Sequence, residues 1–217
     1  MKENNYWLCS CLILLIFFVS ACNSNNKQEE QKTTGAPDKE TTNNITKVIE
    51  PPAETKRGPI INITDTLSIK QLVLTMKDSA ATMERIGLKL GEIYGVKLAA
   101  IMKKNNLKNT GAPIAWYKTS KAPYFFEAGL PVNKKPSKLS GGAYIKEIGI
   151  DSIVVAHFYG PYELLPQGYD ALRDWIKSHK KKIKGVPYEI YVDDPVDSTG
   201  KPKDPYKVRT DIIFAWK

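Results

Sequence analysis

Apolar and polar residues alternate along IKQLVLTMK (69–77) and again along GIDSIVVAHFYG (149–160), the period of a strand with one buried face. Each alternation gives way to a longer period. In TMERIGLKLGEIYGVKLAAIMKKNN (82–106), Ile86, Leu90, Ile93, Val96 and Ile101 form one apolar stripe of an amphipathic helix. In LPQGYDALRDWIKSHKK (165–181), Tyr169, Leu172, Trp175 and Ile176 form another, and Pro166 suits a first helical turn. Strand-like segments follow each helix, at 111–118 and 124–132 in the first half and at 185–192 and 208–216 in the second. GAPIAWYK (111–118) and GVPYEIYV (185–192) keep Gly111 with Gly185, Pro113 with Pro187 and Tyr117 with Tyr191 in step. The pattern predicts a duplicated α+β domain of two strand–helix–strand–strand units, with halves of about 66–132 and 143–217. Its strands make an antiparallel sheet and both helices pack on one face. NKKPSKLSGGAYIKE (133–147) is expected to be the loop between the halves. Gly87, Gly91 and Gly95, continued by Ala99, cost helix stability of about 1 kcal/mol per glycine, so a close approach to the sheet or a neighbouring helix is expected there.

Upstream of this pattern the chain changes character. WLCSCLILLIFFV is apolar but short for a membrane span, and it ends in VSAC (19–22), small residues before a cysteine. This resembles the lipobox of bacterial lipoproteins. The resemblance implies a signal peptide over 1–21, removed before Cys22, and lipid on Cys22 that anchors the chain to a membrane of the cell envelope. Residues 22–58 are polar and rich in Asn, Thr, Lys, Glu and Pro, which predicts a disordered tether reaching roughly 30 Å. The folded domain is then 59–217. All three cysteines (Cys9, Cys11, Cys22) precede it, so it has no disulfide, thiol nucleophile or thiolate metal site. With His157 and His179 its only imidazoles, no metal centre and no cofactor are expected.

The chain carries a formal net charge of +9, which raises the question of an anionic partner. The densest basic run, SHKKKIKG (178–185), falls at a helix end, where lysines suit the helix dipole. No DNA- or RNA-binding motif accompanies it, so no nucleic-acid partner is expected.

The chemistry concentrates in GVPYEIYVDDP (185–195). Along a strand, Pro187, Glu189 and Tyr191 share one face and Tyr188, Ile190 and Val192 the other. The repeat places Ala115 opposite Glu189 in the duplication. Glu189 either pairs with a lysine or a tyrosine hydroxyl, or gives a shared cleft its single negative point.

GAPIAWYK and YFFEAGLPV, followed by FYGPYELL, YDALRDWI, GVPYEIYVDDP and VRTDIIF, resemble the GyrI-like small-molecule-binding domain, the effector-binding domain of multidrug-sensing activators. The resemblance spans about 66–217 and implies a small-molecule ligand. It also implies a cleft between the repeats on the face away from the helices. In relatives that bind cationic aromatic compounds a glutamate on a late strand reaches into this cleft, and it maps to Glu189 beside Tyr191. Tyr117, Phe126, Tyr144 and Tyr159 are the expected further cleft walls. Trp116 is expected in the core under the helices, Glu127 and Asp211 on the surface, and His157 in a structural role. A carboxylate beside a tyrosine also suits a general base acting on water, as in relatives that hydrolyse reactive natural products, and haem-binding proteins share a similar duplicated fold. The absence of a nucleophile, oxyanion hole or metal site favours a binder with no catalytic residues.

Overall fold

A computed structural model describes residues 57–217. Cys22, the expected signal peptide and nearly all of the expected tether lie outside the described residues. The elements run β1 (Ile60–Leu67), β2 (Gln71–Ala80), α1 (Met83–Glu92), a π-helical segment (Ile93–Leu98), α2 (Ala99–Lys104), β3 (Ile114–Tyr117), β4 (Tyr124–Val132), β5 (Tyr144–Ile148), β6 (Ser152–Tyr159), α3 (Leu165–Ser178), β7 (Ile183–Tyr191) and β8 (Arg209–Trp216). The eight strands form one antiparallel sheet in the order β1-β6-β8-β7-β3-β4-β2-β5. The expected α+β class, antiparallel sheet and duplicated strand–helix–strand–strand order are all present.

The order is symmetric about the β3–β7 pair. Ala115 lies directly across from Glu189, with Ile114 opposite Ile190 and Trp116 opposite Tyr188. A pseudo-twofold axis therefore passes between Ala115 and Glu189, the two residues that the duplication equates.

Two strands were not expected. β5 occupies the segment assigned to a loop, and β1 precedes the first unit. β1 is almost wholly exposed and β5 is short and half exposed, so neither carries a clear apolar alternation. They are exchanged between the halves: β1 pairs with β6 of the second half, and β5 with β2 of the first. β1 and β2 stand six places apart in the sheet, about 29 Å if it were flat. The connection Ser68–Lys70 spans at most about 14 Å from Leu67 to Gln71. The sheet must therefore curl until its flanks approach. The loops at the two ends meet there: Ser68 N–H donates to the Asp151 carbonyl at 2.9 Å and Ile150 N–H to the Ser68 carbonyl at 3.1 Å.

The curl buries both faces. On the helix face, α1 and the π-helical segment cover Leu74, Ala115, Phe126 and Ala128, while α3 covers Val154, Ala156, Phe158, Ile212 and Phe214. On the inner face, Val73, Ile114, Trp116, Tyr188 and Ile190 meet Ile153, Val155 and Ile213. Trp116 is core, but on the face away from the helices, because side chains alternate along β3 and Ala115 takes the helix side.

The first helix departs from its expected stripe. A π-helical turn is wider than an α-turn, so the buried position after Ile93 is Leu98, and Val96 is 64% exposed. Gly87, Gly91 and Gly95 are also exposed, and a Cβ added at any of them meets nothing within 4 Å. The expected close packing of this row is absent among the described residues. Close packing at glycine occurs instead on β4, where a Cβ on Gly129 would lie 2.6 Å from Val73 Cγ1 and 2.9 Å from the Leu74 carbonyl oxygen.

These two glycine environments have opposite consequences. Gly129→Ala lowers unfolding stability by about 1–3 kcal/mol, whereas Gly91→Ala raises it by up to about 1 kcal/mol, both read from urea midpoints. Equal effects at the two positions overturn the assignment of packing to one and open space to the other.

Candidate functional site

Glu189 is 4% exposed and projects from β7 toward the helix face, at the seam between the halves. Its partners are tyrosines. Tyr169 of α3 donates to Oε1 at 2.8 Å and Tyr191 of β7 donates to Oε2 at 2.9 Å. The Tyr191 hydroxyl also lies 2.7 Å from the hydroxyl of Tyr117, its repeat counterpart. Tyr94, carried on the π-helical segment, donates to the Ile114 carbonyl at 2.9 Å and closes the first-half side. Phe126 packs on Tyr117 with ring centroids 6.2 Å apart.

Burial removes water from the Glu189 carboxyl and pushes its pKa up, against the opposing effect of the two tyrosine hydrogen bonds. The same burial, with Glu189 nearby, raises Tyr117, Tyr169 and Tyr191. The cluster therefore favours a neutral acid among neutral phenols. Every hydroxyl in it can donate or accept, so the chain of hydrogen bonds survives a change in who holds the proton.

Two other acids provide the contrast. Glu127 and Asp211 were expected at the surface, but both are buried, on the face away from the helices. There they balance charge locally. Burial opposes ionisation of Glu127, yet bonds from Lys118 and Lys146 outweigh it and bring its pKa down to about 2. Arg209 grips Asp211 through two nitrogens, each at 2.7 Å, and His157 Nδ1 lies 2.7 Å from the same carboxylate. His157 is thus part of a structural ion-pair cluster.

Of the expected cleft residues, Glu189, Tyr191, Tyr117 and Phe126 come together, and the site lies between the helices rather than on the opposite face. Tyr144 and Tyr159 do not join it. Tyr144 pairs across β5–β2 with Thr75 and lies near Glu127, whose charge, after burial, raises its pKa. Tyr159 lies opposite Arg209, on the face of β6 away from Phe158 and the helices. Of the adjacent phenylalanines, Phe126 turns inward and Phe125 is 49% exposed. Tyr94 and Tyr169 were missed as site residues. Both sit on helices against the core, where a tyrosine reads as packing; the one signal that could have found them is that a buried tyrosine hydroxyl needs a partner.

Residues 82–216 match the sequence profile of the GyrI-like small molecule binding domain. The chain belongs to this family. Solved structures share the GyrI-like fold. The crystal structure of the EcmrR C-terminal domain aligns with a TM-score of 0.58 at 19% identity, over 73% of this chain and 98% of that one. EcmrR in its complex with DNA aligns with a TM-score of 0.59 at 19% identity, over 73% of this chain but 57% of that one, so the chain spans little more than half of that protein. An uncharacterized conserved protein from Listeria innocua aligns with a TM-score of 0.51 at 11% identity, over 75% of this chain and 93% of that one. At these identities the likeness is one of fold. No curated protein matches the sequence.

The raised pKa of Glu189 sets the sign of a pH effect. The folded protein holds a proton that the unfolded chain releases near pH 4.5, so the stability from the neutral acid is full below that pH. It is lost as pH rises from there through the folded pKa. Glu189→Gln abolishes this titration. The melting temperature of the variant minus that of wild type should grow as pH rises from 4 toward 8; a difference independent of pH shows that the folded carboxyl is already ionised.

Proposed function

We propose that this GyrI-like domain binds a small cationic or amphipathic aromatic molecule at Glu189, in the seam between its two repeats, and that the protein is held at the cell envelope by lipid on Cys22. The observation that carries the ligand class is the buried carboxyl that has no cationic partner among the described residues. Glu127 and Asp211 are paired with lysine or arginine, whereas Glu189 has, among the described residues, only tyrosine hydroxyls. A ligand cation supplies the missing charge, and the tyrosine rings offer electron-rich faces to it. Binding then draws the proton off the carboxyl, so affinity rises with pH.

A thermal-shift panel of planar aromatic cations tests this reading. A binder at about 100 times its Kd adds about 2.7 kcal/mol, a rise of about 5–10 °C for a domain of this size. Wild type should show that rise and Glu189→Gln should not; equal shifts in both proteins remove Glu189 from the site. The anchor is tested separately by mass spectrometry of the mature N-terminus. A diacylglyceryl mass on Cys22 that disappears in Cys22→Ser supports it, and an unmodified Cys22 overturns it.

A further inference from the structure

Beside the tyrosine cluster lies a separate cavity of about 300 Å³. Tyr162 and Glu163, from the turn before α3, form one side, Thr210 of β8 contributes to the floor, and Pro195, Pro202 and Pro205 of the β7–β8 loop form the far wall. Two contacts tie it to Glu189. Thr210 is the cross-strand partner of Tyr191. The Tyr162 ring meets the Tyr191 ring edge-on, with centroids 6.5 Å apart and planes at 83°. Tyr191 in turn donates to Glu189 Oε2. The Tyr162 and Tyr191 rings thus connect the cavity to the buried carboxyl.

The far wall is built to hold its shape. Lys203 N–H donates to the Pro195 carbonyl at 2.9 Å, its ammonium donates to the Asp194 carbonyl at 2.9 Å, and Val196 bridges to Pro202. Proline rings have few conformations to lose, so an apolar body settles against them at small entropic cost. The volume sits at the lower end of small-molecule sites, about 300–1,000 Å³.

We propose that this cavity is the outer compartment of the Glu189 site and that Tyr162 is a specificity-determining residue. The ligand has two parts: a cationic centre directed at Glu189, and a flat apolar body lying between Tyr162 and the proline wall. This rests on the Glu189 reading above and adds the second half of the ligand. A cation arriving from the cavity takes the place of the Tyr191 hydroxyl at Oε2, because Tyr191 is the partner of that carboxyl which Tyr162 touches. The Tyr169 bond at Oε1 is on the α3 side and stays.

Isothermal titration of the full chain with two probes separates the parts. Ethidium carries a cation and a flat body; tetraethylammonium carries the cation alone. Tyr162→Ala should weaken ethidium about tenfold, the scale of one lost stacking partner, and leave tetraethylammonium unchanged. Tyr162→Phe, which keeps the ring, should retain ethidium affinity, and Glu189→Gln should weaken both probes. If Tyr162→Ala leaves ethidium unchanged while Glu189→Gln weakens both, the outer compartment is overturned and the Glu189 reading stands. If Tyr162→Ala weakens ethidium and Glu189→Gln weakens neither, the cavity binds by itself, and the two-part site falls with the Glu189 reading. Absence of ethidium binding to wild type overturns both.

Discussion

The rest of the structure turns on one buried carboxyl at the pseudo-twofold axis. Glu189 faces Ala115 across the β3–β7 pair, so the two halves meet where one supplies an acid and the other a methyl group. Burying such a group without a cation is costly, and the protein meets the cost in two ways: burial shifts the acid toward its neutral form, and both oxygens have a phenol donor. Those donors come from different elements, Tyr169 on α3 and Tyr191 on β7. The helix of the second half, its third strand and, through Tyr117, the strand of the first half are joined in one polar network. Any ligand that satisfies the acid competes with this network, which makes selection a matter of replacing hydrogen bonds rather than filling an empty hole.

The two faces of the sheet handle buried acids in opposite ways. On the inner face, Glu127 and Asp211 occupy corresponding places on β4 and β8, and each is paired with cationic side chains: Glu127 with Lys118 and with Lys146 of the exchanged β5, Asp211 with Arg209. Lys146, which serves Glu127, also lies over the Trp116 ring at 4.1 Å from its centroid. The two acids correspond across the axis although their cations do not, and each is satisfied locally. Glu189 has alanine as its counterpart and, among the described residues, no cation. Acids paired with cations on one face and a lone acid at the seam on the other are the electrostatic difference between the two faces.

The exchange of edge strands makes that seam firm. β1 lies beside β6 and β5 beside β2, so neither half completes its sheet alone. The short connections force the curl, the curl fuses the inner-face core around Tyr188 and Ile190, and that core lies directly behind the Ala115–Glu189 pair.

Much of this was legible in the one-dimensional pattern. Alternation and helical stripes determined the six strands and two helices of the duplicated unit, because each buries one face and buried faces leave a period. The offset between GAPIAWYK and GVPYEIYV paired Ala115 with Glu189 before any geometry was known. The pattern was silent on β1 and β5, whose exposed or half-exposed residues leave no period, and misleading on Gly87, Gly91 and Gly95, which face open space. It also could not say which face of the sheet the helices cover, since alternation distinguishes two sides without naming them. Tertiary structure decided that Glu189 lies under the helices, that Tyr169 reaches it while Tyr94 caps the Ile114 carbonyl beside it, and that Tyr144 and Tyr159 do not join it. The physical reason is that the acid's charge state depends on what surrounds it in space, and those neighbours come from elements far apart along the chain.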